Sequence, residues 1–180
     1  MLHYNISEIP GYIAFWVLNS LNLTRCQIPL CGGGGLTIDE EDVHLTLGFP
    51  KGPTPISRPV DKQTEFQFND YVAERCGKSR YKMTAADVAK VIKQEVNGGP
   101  DFKRMFMFML ENAVIETPAD GNLKQKILHF IDDVDGIRSL NWCGYVLSVL
   151  EATYPTWKKG DTLYFTGPMH FLLVSETLSA

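Results

Sequence analysis

Apolar positions recur along this chain at helical spacing far more often than they alternate. Ile9, Ile13, Trp16, Val17 and Leu21 follow Ser7, Glu8 and an early Pro10, which predicts a first helix over residues 7 to 22. Cys31-Gly32-Gly33-Gly34-Gly35 interrupts that pattern as a flexible link. Thr37-Ile38-Asp39-Glu40 then reads as a capping box opening a short helix through Val43 and Leu47, which must stop by Gly48-Phe49-Pro50. From Pro50 to Pro59, four prolines and a glycine in ten positions disfavour regular structure. They predict a surface connection about which two helical subdomains hinge.

Beyond the connection, Phe66, Phe68, Tyr71, Val72 and Arg75 predict a helical segment that Gly77 ends. Thr84-Ala85-Ala86-Asp87 caps the next helix, whose Val88, Val91, Ile92 and Val96 recur by threes and fours before Asn97-Gly98-Gly99-Pro100. Asp101 to Ile115 carries Phe102, Met105, Phe106, Met107, Phe108, Met109 and Leu110 and is apolar nearly all round, the pattern of a central buried helix. Leu123 to Ile131 and Ile137 to Tyr154 predict two more helices, and Gly167 to Leu178 fits either a helix or a terminal strand. The expected fold class is all-α, an irregular multi-helix bundle with the Pro-rich connection near residues 50–59. Its parts are an N-terminal helical segment with the Gly-rich link (1–49), the connection (50–62) and the main bundle (63–180), together one compact domain.

Composition supports a folded chain. At 180 residues it can bury roughly 70% of the surface that its unfolded form exposes. Ten Phe, seven Tyr and three Trp supply large packing anchors. A formal charge of -4 argues against a nucleic-acid binder, which needs a basic stripe to neutralise phosphates. No basic stretch followed by a long apolar run opens the chain, and Tyr12 to Leu18 is too short to span a bilayer. The expectation is an intracellular protein of cytoplasm or nucleus, the mitochondrion remaining open, with Cys26, Cys31, Cys76 and Cys143 reduced.

The candidate chemical motifs fail on spacing. Gly77-Lys78-Ser79 lacks the earlier glycine of a phosphate loop, because Val72 holds that position. Gly32 to Gly35 puts Thr37 or Ile38 where the third glycine of a dinucleotide fingerprint belongs. In Asp132-Asp133-Val134-Asp135-Gly136, Ile131 occupies the place of the first ligand of a calcium loop, so the acids read as partners of the next helix's dipole, with Asp135 as its cap. Cys26 and Cys31 lack the spacing and partners of a zinc site, and His44 and His129 stand alone on apolar faces. Cys143 and His170 are the one pair that supports a cysteine hydrolase, although Cys143 sits between Trp142 and Gly144 inside a predicted helix. No catalytic residue, cofactor or metal site is expected. Phe102, Met105, Phe106, Met109, Trp142 and Trp157 are the candidate interaction surface, since Met and aromatic side chains adapt to a partner helix.

Two sets of residues carry a family likeness. Glu41 to Gly52 (Glu-Asp-Val-His-Leu-Thr-Leu-Gly-Phe-Pro-Lys-Gly) precedes Asp135 to Leu147 with its Asn141-Trp142-Cys143, then Phe165-Thr166-Gly167-Pro168 and Phe171-Leu172-Leu173. In that order they resemble the plant mobile domain, a transposon-derived, aminotransferase-like family also found beside cysteine-protease modules in plant repetitive elements. The resemblance implies a helical bundle with no catalytic residues to carry over, and a chain ending at Ala180 implies a truncated or domesticated member. The expected function is a non-enzymatic intracellular plant domain, derived from a mobile element, that binds a protein partner or its own copy through apolar helical faces. The alternatives are one half of a selfish toxin-antidote pair, the Cys143/His170 hydrolase, and a nucleic-acid-associated transposon remnant. Neither a membrane span nor a small-molecule substrate is expected.

Overall fold

A computed structural model of the chain describes residues 11–29, 33–57, 70, 73–79, 82–124, 126–131 and 133–177, with the backbone alone at 129 and 175–177. Helix dominates these residues. The helices are α1 (Gly11–Ser20), α2 (Glu40–Leu47), α3 (Ala85–Gln94), α4 (Pro100–Leu110), α5 (Trp142–Lys158) and α6 (Met169–Thr177). Two small sheets accompany them, so the all-α expectation is wrong: the chain is helix-dominated with mixed content. β1 (Gln27–Pro29) pairs antiparallel with β2 (Gly35–Thr37), and β3 (Thr54–Pro55) pairs parallel with β4 (Leu140–Asn141).

The first sheet has a local cause. Gly33 and Gly34 hold φ of 100° and 89°, a region L side chains rarely enter, and this lets the Gly run close a hairpin where the sequence suggested only a loose link. Thr37 is thereby spent in β2, and the capping box of α2 falls two residues later: the Asp39 carboxylate accepts from Asp42 N–H while the Asp42 side chain accepts from Asp39 N–H. α2 stops as expected at Gly48, whose φ of 70° allows its N–H to reach His44 C=O. The Pro-rich connection is not a free hinge over its described part. Gly52 N–H donates to Leu140 C=O at 3.2 Å and Trp142 N–H to Pro50 C=O at 3.1 Å, which tie 50–55 to the start of α5.

Several predicted helices change shape. α3 has the Thr84/Asp87 capping box that its sequence announces. The 101–115 run is not one buried helix. Within α4 only Met105 and Phe108 are buried, because Lys103 keeps the opposite side wet, and the chain then widens into a π-turn over Glu111–Ile115. Leu123 to Ile131 forms a 3-10 turn at Leu128–Phe130 in place of a helix. Ile137 to Tyr154 splits into a 3-10 turn (Gly136–Ser139), β4 and α5, with Asn141 rather than Asp135 as the helix cap, its side chain accepting from Gly144 N–H. The terminal segment is helical. Of the predicted segment before Gly77, residues 73–76 are helical, whereas Phe66, Phe68, Tyr71 and Val72 lie outside the described residues, as do residues 7–10 of the first helix.

The core sits where α5 and α6 meet α2. α2 packs against both, α6 also contacts α1 and the π-turn, and α3 packs on α4. Trp142, Phe108 and Phe171 are the largest fully buried side chains, each contributing roughly 2–3 kcal/mol by leaving water.

Candidate interaction surface

α1 carries no charged residue. Its sequence is apolar all round, a pattern that ordinarily means full burial. Only one side meets the core: Val17 and Leu18 are buried, and the Tyr154 hydroxyl of α5 donates to Leu21 C=O at 2.9 Å just past the helix end. Tyr12, Phe15, Trp16 and Asn19 fall at helical spacing on the other side, with the first three 76%, 64% and 38% exposed. Asn19 accepts from Lys158 Nζ at 3.3 Å, which sets the end of α5 beside the end of α1. The loop that follows α5 exposes Leu163 and Tyr164 as well.

The predicted interaction residues divide. Phe102, Phe106 and Met109 share a side of α4: the two phenyl rings stack at 6.1 Å, Phe106 is half exposed and Met109 half-buried. Trp157 is half-buried near the end of α5, between Tyr154 and an edge-on Phe165, with the Lys158 ammonium 6.0 Å from its ring centre. Met105 and Trp142 are not surface at all. Met105 faces inward with Phe108, and Trp142 is held inside by edge contacts with Phe49 and Tyr145 while its indole N–H donates to Ile137 C=O at 2.9 Å.

The motif segments at 40–52 and 139–144 come together in space. Asn141 Nδ2 donates to Glu40 Oε1 at 3.0 Å, Lys51 pairs with Glu41, and the Cys143 thiol donates to Phe49 C=O at 3.2 Å. His44 Nδ1 lies 2.6 Å from the same Phe49 oxygen, so its Nδ1 carries the proton. Gly144 allows the close approach, because a Cβ there would crowd Asn141 and Glu40. The junction is therefore a packing site filled by its own side chains.

A family model described as Domain of unknown function (DUF8566) matches residues 1–173. The chain belongs to the DUF8566 family. The match spans the α1 face and the motif junction alike. No curated protein matches the chain, and no solved structure does.

In this DUF8566 chain the hydrolase pair is not assembled. Cys143 is fully buried and His170 is exposed, with no hydrogen bond between them. Burial, reinforced by Glu40 and Glu41 and partly offset by Lys51, pushes the Cys143 thiol up to about 11, so little thiolate exists near neutral pH. Lys78 of the rejected phosphate loop lies 3.9 Å from the Asp87 carboxylate. Among the described residues no group of three His, Cys, Asp or Glu side chains gathers as a metal site, and no helix is long and apolar enough to cross a membrane. The side chains of Asp132 and His129 lie outside the described set.

Sequence reasoning missed Tyr12 and Phe15 because the helical spacing was read from Ile9, Ile13, Trp16, Val17 and Leu21, and the interaction surface was sought in the Met and aromatic residues farther along the chain. The available signal was the absence of any charge from Ile9 to Thr24. A surface helix normally declares its wet side with Lys or Glu, so the length of the uncharged run was the clue.

Proposed function

We propose that the chain is a non-enzymatic protein-interaction domain that pairs through the aromatic side of α1, with a second copy of itself as the occupant. The observation that carries this reading is a charge-free helix with one apolar side buried and Tyr12, Phe15 and Trp16 in solvent on the other. Aromatic side chains are the residues that interfaces concentrate, and isolated patches of this kind are rare on monomers. A second copy fits because α1 itself carries no charge to repel its counterpart and Lys158 at its end is engaged by Asn19, although each molecule carries a formal charge of -4. Each aromatic side chain buries roughly 150–250 Å². Three of them fall short of the roughly 800 Å² per partner of a stable complex, so the pairing would be weak and reversible.

The resemblance to the plant mobile domain rests on the motif segments alone and supports an origin in a mobile element and a role inside a plant cell. The free thiols of Cys26, Cys76 and Cys143 favour the reducing interior on the same reading. The test is light scattering across a concentration series. The mass should climb from 20.2 kDa toward twice that in the micromolar range, and Phe15→Asp should hold it at the monomer with an unchanged circular dichroism spectrum. A wild-type chain that stays monomeric at several hundred micromolar sinks self-pairing.

A further inference from the structure

A buried acid network at the end of α4 belongs to neither the α1 face nor the motif junction. Glu116 N–H donates to Glu111 C=O at 2.9 Å and closes the π-turn, a rare geometry that recurs at functional positions. Glu111 is 0% and Asn112 3% exposed. Asn112 binds the turn to the loop after it, accepting from Lys124 N–H at 2.6 Å and donating to Lys124 C=O at 2.9 Å. Among the described residues Glu111 bonds to neutral partners: Asn112 Nδ2 at 2.7 Å from Oε2, and the Tyr145 hydroxyl of α5 at 3.1 Å from Oε1. The nearby cations go elsewhere, with Lys124 and Lys126 both 2.8 Å from Glu116 Oε1.

We propose that Glu111 is a proton-held latch: as a neutral acid, accepting from the Tyr145 hydroxyl of α5, it can stay buried where the π-turn meets that helix, and its ionisation, which leaves a charge in the same enclosed place, releases the 111–124 segment. A carboxylate there would be fully buried, bonded to no cation among the described residues and beside the charged Glu116, the arrangement that most disfavours ionisation. Burial first, and then the Glu116 charge, push Glu111 up to about 8, against smaller opposing effects of Tyr145, Lys126 and Lys124. Burial also works against the Glu116 charge, but its two lysine bonds outweigh that and hold it below the ordinary range. The remaining described neighbours add no counter-charge. α6, which also packs on the turn, has Phe171, Leu172 and Leu173 buried and His170 exposed, and on α4 Arg104 is paired with Asp101 while Lys103 is exposed.

The sign of the linkage follows. Below the ordinary value of 4.5 both folded and unfolded chains hold the proton and Glu111 has no effect. Between 4.5 and about 8 only the folded chain holds it, so the folding equilibrium loses about tenfold per pH unit from this group. Above about 8 the loss is complete and constant.

Carboxyl-labelled ¹³C-Glu NMR on the whole chain tests the proposal, followed by hydrogen exchange corrected for intrinsic rate at pH 6.5 and 8.5. One Glu resonance should titrate within about a unit of 8 and vanish in Glu111→Gln, and peptides covering 111–124 should lose at least tenfold protection between the two pH values in the wild type only. If every Glu carboxyl titrates below 6, or if Glu111→Gln loses the same protection, the latch is overturned. Should Glu111→Gln fail to fold, the wild-type titration decides alone, and Tyr145→Phe should move that resonance without removing it.

Discussion

Cys143 makes the sharpest case for reading a residue by its surroundings rather than its type. Its thiol is enclosed by Phe49 C=O on one side and the α5 backbone on the other, and it gains nothing from the carboxylates of Glu40 and Glu41, which disfavour the thiolate. A nucleophile needs the opposite conditions, an exposed sulfur beside a positive charge. The expected outcome is therefore selective protection. Under native conditions at pH 8, iodoacetamide followed by peptide mass spectrometry should find the half-buried Cys26 and Cys76 modified first, with Cys143 reacting only at the rate of unfolding. Cys143→Ala should keep the fold at a cost of about 1 kcal/mol, the usual value of one lost hydrogen bond. Native labelling of Cys143 as fast as the other thiols would contradict the buried geometry.

The elements most legible in the sequence were those announced by their ends. At α3, Thr84 and Asp87 satisfy each other's backbone N–H groups, and the Thr84 hydroxyl holds the Asp87 carboxyl below its ordinary range. Thr84→Ala should cost about 1 kcal/mol in urea unfolding with an unchanged slope; no loss would mean that packing against α4 alone holds the helix. At α2 the right kind of signal appeared in the wrong register, because Thr37 could equally cap a helix or end a hairpin, and the hairpin took it. The two-residue strands β3 and β4 had no legible pattern: two residues show no alternation, and their pairing joins Thr54 to Leu140, far apart in the chain. The Met and Phe run at 102–110 misled for a different reason. Composition suggested burial all round, but the side that carries Lys103 turned outward, and the acidic Glu111 that follows went inside. α1 carries no charge yet has one side in water, and nothing in its spacing marked Tyr12 and Phe15 as that side, so the candidate surface was only partly visible from sequence.

At the scale of the whole molecule, the crossing of 49–55 with 139–144 ties the N-terminal third to the last long helix. Gly52 stands at that crossing with its Cα against the Ser139 carbonyl, and any Cβ there would overlap backbone that has no rotamer by which to yield. The neighbouring bonds from Gly52 to Leu140, Pro50 to Trp142 and Phe49 to Cys143 all depend on the same separation of the two segments. Tyr154 adds a second long-range tie, to Leu21. If these ties make one cooperative unit, then a disturbance at Gly52 must be felt in α1, α2 and α5 together. Gly52→Ala should therefore lower stability by about 3 kcal/mol, the upper end of overpacking costs. Tryptophan fluorescence, which reports Trp16 in α1 and Trp142 and Trp157 in α5, should shift at the same midpoint as circular dichroism in both wild type and variant. The opposite outcome is equally readable: two separated transitions, with the helical signal of one half surviving the loss of the other, would mean that residues 50–62 do join two independently folding parts, as the prolines alone suggest.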